Sequence, residues 1–157
     1  MDGYRLLSYS KGDQGSSTGL LLEDRVYDLP EILEACGILT EFDTSSMLSA
    51  LESWATTRSA IEEAIGKLDR NEIGHALSGE TLDRITLTTP VQYPGVLYCA
   101  GANYRDHVIE MTGKPPPESN TEPFFFLKST KGTIIGPNDT IMLPSYSSKV
   151  DWEAEIG

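Results

Sequence analysis

Val150-Asp151-Trp152-Glu153-Ala154-Glu155-Ile156 alternates apolar and acidic side chains at every step. Successive side chains of a strand point to opposite faces, so this spacing puts Asp151, Glu153 and Glu155 on one face and Trp152, Ala154 and Ile156 on the other. Two neighbouring carboxylates on a half-buried strand repel each other and lose hydration. A hard cation such as Mg²⁺, Mn²⁺ or Ca²⁺ removes the conflict by taking their oxygens, which makes Glu153 and Glu155 candidate metal ligands. A solvated acidic strand face reads the same spacing without an ion. Asp151 shares their parity, yet at about 3.3 Å per residue a straight strand sets it roughly 13 Å from Glu155, out of reach of one ion. The pair needs a third ligand from elsewhere.

The preceding residues have the same style. From residue 95 onward, short apolar runs alternate with Gly, Pro and Asn turns, and strands are expected at Gly95–Ala100, Phe124–Leu127, Thr133–Ile135, Thr140–Leu143 and Val150–Ile156. This pattern reads as the start of a mixed β-roll or barrel. A short helix, Asn103 to Met111, interrupts it and stops at Thr112-Gly113. Lys114 to Asn120 is proline-rich and cannot join a sheet; it reads as a cover over a cleft or an inert surface loop.

The first half reads differently. Tyr4–Ser10, Gly19–Leu22 and Arg25–Leu29 form a β-meander turned at Glu23-Asp24, followed by a short helix with Leu29, Ile32, Leu33 and Cys36 on one face and Gly37 as its stop. Met47, Leu48, Leu51 and Trp54 make one further helical stripe. Ile61, Ala64, Ile65 and Leu68 make another, with Ser59 and Glu62 spaced as a capping box. The polar stretch 70–80 is the linker candidate. The expected fold class is therefore α+β: a small N-terminal α+β domain over 1–80, then the first part of a β-roll over 81–157.

The 157 residues are 39% hydrophobic and 23% charged, an ordinary globular balance. Twenty-four acids against 12 bases give a formal charge of −12, which argues against nucleic acid because phosphate binding needs a basic patch. No apolar run approaches the roughly 20 residues of a membrane span, and the N-terminus lacks a signal-peptide pattern. A cytoplasmic location without a membrane partner is expected. Cys36 and Cys99 are isolated, without metal or redox spacing, which suits a reducing compartment. Cys99 reads as a small apolar strand residue or, alternatively, as a nucleophile.

Three more residues could carry chemistry. His107 and Glu110 share a helix face at i, i+3, so the carboxylate can hold the imidazole in one tautomer for general-base work; a surface His/Glu pair has the same spacing. Lys128 ends the run Phe124-Phe125-Phe126-Leu127 and carries a cation to a strand end, where it meets a developing enolate or snorkels to solvent. Gly132 to Gly136 has neither Walker nor dinucleotide spacing and is not a phosphate loop.

In order along the chain, these pieces resemble one family. Gly101-Ala102-Asn103-Tyr104-Arg105-Asp106-His107-Val108-Ile109-Glu110 is similar to the G-x-N-Y-x-x-H-x-x-E segment of the fumarylacetoacetate hydrolase family, and Pro123 to Ser129 to its P-x-x-F-x-K-x segment. Gly136 to Ile141 with Leu143-Pro144 resembles its G-p-x-D-x-I-x-x-P run, and Val150 to Ile156 its V-D-x-E-x-E-L. Residues 1–90 resemble the family's variable N-terminal domain only loosely, through the opening strands and Val26-Tyr27-Asp28-Leu29.

The resemblance implies a fumarylacetoacetate-hydrolase-type catalytic fold and a dimeric enzyme using Mg²⁺ or Mn²⁺ on short diketo or 2-oxo acids. Glu153 and Glu155 fall on the family's metal ligands, His107 and Glu110 on its water-activating pair, Lys128 on its active-site lysine, and Asn103 and Tyr104 on substrate contacts. The implied reaction is C–C bond hydrolysis of an acylpyruvate-like acid through an enolate held on the ion. Decarboxylation, dehydration or isomerisation of 2-oxo acids on the same scaffold is the alternative. The implied third ligand is an aspartate beyond residue 157, so the expectation is the N-terminal portion of a longer enzyme. A non-catalytic interaction module is the remaining reading.

Overall fold

The computed structural model describes residues 3–70, 72–73, 77–116, 122–152 and 154–155. Strands β1 (Arg5–Ser10) and β2 (Ser16–Leu22) form a hairpin in register from Arg5↔Leu21 to Ser10↔Ser16. β3 (Arg25–Asp28) returns along β2 through Glu23-Asp24, where Glu23 takes φ 53°. Two-residue strands finish the sheet: β4 (Glu80–Thr81) pairs with β3, and β5 (Thr86–Leu87) pairs with β1. The order is β4-β3-β2-β1-β5, antiparallel throughout.

The path between the two edge strands bends this sheet. Five residue steps from Thr81 to Thr86 span at most about 18 Å, and a single 3₁₀ turn at Leu82–Arg84 shortens them further. Four strand spacings in a flat sheet come to about 19 Å. The two edges are therefore drawn towards each other, and the sheet curls.

Helix α1 (Leu29–Ala35) starts at Asp28, whose Oδ1 accepts from the Glu31 amide at 3.2 Å. It stops at Gly37, φ 66°, with Ile38 N–H donating to Leu33 O and Gly37 N–H to Glu34 O, both at 2.9 Å. This is the paired C-terminal closure that a left-handed glycine permits. α1 and α3 (Trp54–Asp69) pack on the sheet, and Leu20, Leu22, Leu29, Ile32, Leu33, Ile61 and Ala64 form the core between them. Asp28 is also a hub. Its Oδ2 accepts from Tyr9 Oη at 2.8 Å and Ser17 Oγ at 2.7 Å, and Lys11 Nζ lies 3.4 Å away. Burial first, then the Asp28 contact, pushes the Tyr9 hydroxyl far above the usual phenol range.

Two helical expectations need correction. Met47, Leu48, Leu51 and Trp54 do not form one stripe, because α2 (Met47–Glu52) ends at Ser53, which takes φ −102°, ψ 31°. Met47 and Ala50 are buried, while Leu51 and Trp54 are exposed. Ser59 and Glu62 are not a capping box, since α3 begins at Trp54 and both lie inside it. Ser59 Oγ donates to Ala55 O at 3.1 Å, and Glu62 pairs with Arg58.

In the second half β6 (Leu97–Gly101) pairs with β7 (Phe124–Lys128), antiparallel from Leu97↔Lys128 to Gly101↔Phe124, and α4 (Arg105–Thr112) lies between them in sequence. The strands expected at Thr133–Ile135 and Thr140–Leu143 are not formed, nor is one across the described residues of Val150–Ile156. A strand is defined by its ladder, and the described backbone there joins no ladder. Ile141, Met142, Leu143, Val150 and Trp152 are correspondingly exposed. The chain is a mixed α+β protein built on antiparallel sheets. Among the described residues no helix is long and apolar enough to cross a membrane.

Candidate functional site

The site is built where β6 gives way to α4. Gly101 ends β6 under the Phe124 ring: a Cβ at this position would stand 2.7 Å from Phe124 Cδ1. Ala102 then takes φ 53°, and Tyr104, extended at φ −106°, ψ 129°, caps the start of α4. The helix stops at Gly113, φ 70°, whose N–H donates to Ile109 O at 2.7 Å. Spacings of three and four put Tyr104, His107, Glu110 and Met111 along one side.

That side forms one wall of a cleft of about 560 Å³, and Asp151, Trp152, Ala154 and Glu155 form the other. His107 Nδ1 stands 3.7 Å from Glu110 Oε2, within ion-pairing reach but longer than a hydrogen bond. Asn103 Nδ2 donates to Glu155 Oε2 at 3.1 Å. Asp151 Oδ1 accepts from the Trp152 amide at 2.8 Å.

The structure thus brings five of the expected residues together: Asn103 beside Glu155, and Tyr104, His107, Glu110 and Glu155 around one cleft. It does not bring Lys128 among the residues that line it. The Lys128 ammonium sits 5.6 Å from the Phe126 ring centroid. Glu153 lies outside the described residues, as do 117–120 of the expected cover loop.

No strand forms across the described residues around Asp151, and Asp151 lines the same cleft as Glu155. Trp152 also lines it, although period-two reasoning turned it to the opposite face. Met111, one turn beyond His107, was recoverable from helical spacing and was not singled out.

Glu110, Asp151 and Glu155 supply the oxygen chemistry that a hard divalent cation takes. No three described His, Cys, Asp or Glu side chains stand together as a complete ligand set. The donor type fits such an ion, and the described residues alone do not enclose it.

Fold and cleft define an α+β protein with a His/Glu pair and carboxylates facing one pocket. Comparison with known proteins gives the family. Residues 96–157 match the model for the fumarylacetoacetate (FAA) hydrolase C-terminal region. The chain is 33% identical over 155 residues to the mitochondrial oxaloacetate tautomerase fahd2 of Xenopus laevis, covering 97% of this chain and 42% of that protein. It is 39% identical over 72 residues to human mitochondrial oxaloacetate tautomerase FAHD2B, covering 46% of this chain and 21% of that protein. It is 43% identical over 68 residues to the 2,4-didehydro-3-deoxy-L-rhamnonate hydrolase of Sphingomonas sp. (strain SKA58), covering 43% of this chain and 22% of that protein. The chain belongs to the fumarylacetoacetate hydrolase family. It spans about two fifths of the Xenopus relative and less of the other two. Members of this family typically use a divalent metal.

Proposed function

We propose that this chain carries part of the active site of an enzyme that cleaves a C–C bond in a short diketo acid by hydrolysis, with His107 as the proton carrier. The observation that carries the reading is the His107–Glu110 pair at 3.7 Å facing Glu155 across one cleft. In the proposal, Glu153 and Glu155 hold Mg²⁺ or Mn²⁺, the second half of the chain is the first part of a β-roll domain that follows an N-terminal α+β domain, and the enzyme is a homodimer.

Bound there, the cation would supply Lewis-acid polarisation of a 2-oxo acid. Glu110 faces Nδ1 of His107 and holds a proton on it, which leaves Nε2 to accept one from water. That water attacks the distal carbonyl of the diketo acid. The C–C bond breaks towards the 2-oxo acid half, and the proton on Nε2 passes to the carbon released. The products are two carboxylic acids, one of them a 2-oxo acid. Closing the His107–Glu110 gap to a hydrogen bond takes about 0.5 Å, a tightening that catalytic pairs commonly make with substrate. Lys128 enters by resemblance alone, because it does not line the cleft.

Tautomerisation of oxaloacetate is a second reading, favoured because the match over 97% of this chain is to a protein named for that activity. It needs the same proton carrier and no water. One experiment separates the two: the enzyme that carries this chain is supplied with Mg²⁺ or Mn²⁺, and the absorbance of an acylpyruvate and of enol-oxaloacetate is followed. Loss of the acylpyruvate signal, reduced about 10²- to 10⁴-fold by His107→Ala, supports hydrolysis. Loss of the enol signal alone favours tautomerisation, and no change in either rejects both.

A further inference from the structure

We infer that Asn103 is a positioning residue that orients the Glu155 carboxylate, an inference that rests on the metal-assisted reading above. It moves Asn103 from a substrate contact to the acidic segment. The Asn103 amide donates through Nδ2 to Glu155 Oε2 at 3.1 Å, across a sequence separation of 52 residues. The donor's own place is fixed from both sides. Ala102 turns the chain out of β6 at φ 53°, and Tyr104 opens α4 immediately afterwards.

An amide suits this task in a way that a cationic side chain does not. It donates a hydrogen bond and carries no charge, so Glu155 keeps its full negative charge for a cation, with which a lysine or arginine would compete. A carboxylate already held in one orientation also loses less rotamer freedom when it ligates. The same bond ties the segment bearing Asp151 and Trp152 to the start of the helix bearing His107, so it joins the two walls of the cleft.

The test is Mn²⁺ titration of the enzyme that carries this chain, read from the electron paramagnetic resonance signal of the free ion and needing no turnover. The unmodified enzyme, Asn103→Ala, Glu155→Gln and the double variant are compared, with thermal melts alongside. Should Asn103→Ala melt early, Asn103→Leu, of similar shape and without donors, replaces it. Positioning through Glu155 gives a loss of Mn²⁺ affinity of about 10- to 100-fold in Asn103→Ala and no further loss when it is added to Glu155→Gln. Unchanged Mn²⁺ affinity in Asn103→Ala overturns the inference and leaves the metal-assisted reading standing. An equal extra loss in both backgrounds overturns it too, because Asn103 would then not act through Glu155. No Mn²⁺ binding by the unmodified enzyme rejects the metal-assisted reading itself, and this inference with it.

Discussion

Asp28 shows how one buried carboxylate can hold several elements at once. It caps α1, accepts from Tyr9 on β1 and Ser17 on β2, and faces Lys11 in the turn between them. Asp28→Ala removes the cap and leaves the buried Ser17 hydroxyl without its acceptor. It is expected to cost about 2–4 kcal/mol in urea unfolding at neutral pH. The same cluster sets an alkaline limit. The Tyr9 hydroxyl titrates above its ordinary value, and Lys11 does so as well, chiefly through its bond to Glu31 at 2.7 Å. A group whose folded pKa is raised gives stability that is fully present below its unfolded pKa and is lost as pH rises through the folded value. The urea midpoint should therefore hold steady below about pH 10 and fall above it. Tyr9→Phe should shrink that fall, leaving the Lys11 share.

At the scale of elements, the break between α2 and α3 is stabilised from within. Thr57, fully buried, donates from Oγ1 to Ala50 O at 2.7 Å, satisfying a carbonyl near the end of α2. Thr57→Val keeps the shape and removes that donor, at an expected cost of about 1–3 kcal/mol in urea unfolding. The helix stop at Gly37 and the meander turn at Glu23-Asp24 were legible in the sequence because local backbone chemistry decides them. The break at Ser53 was not, since serine suits a helix cap and a helix interior alike and tertiary contacts select between them. The second half failed differently. Ile141, Leu143 and Val150 suit a pleated surface, but forming a strand needs a partner ladder that no local pattern can supply. The candidate site was legible where it rests on helical spacing, as with His107 and Glu110. It was not legible for Trp152, whose place depends on backbone that is irregular rather than alternating.

For the whole molecule, the two halves differ in how much apolar surface they cover. The N-terminal sheet buries Leu20, Leu21 and Leu22, whereas β6 and β7 leave Tyr98, Phe124, Phe125 and Leu127 each more than half exposed. Alternation puts Phe124 on one face of this pair and Phe125 and Leu127 on the other, so both faces are bare. Sheets with two apolar faces are normally covered on both. In solution this chain should bind an apolar dye such as ANS and self-associate in sedimentation experiments. Phe125→Lys with Leu127→Lys should reduce both effects; unchanged sedimentation would place the sticky surface elsewhere. The N-terminal sheet has no such exposure, and its strap at Leu82–Arg84 explains a second kind of protection. Because one short crossing supplies both edge strands, each only two residues long, it covers the outer edge of β1 at Tyr9 and Ser10 and that of β3 at Arg25 and Val26, where a foreign strand would otherwise dock. The strap thus acts as a quarantine against domain swapping and fibril seeding, and a protease cut or a flexible insertion within it would lift that protection at both edges together.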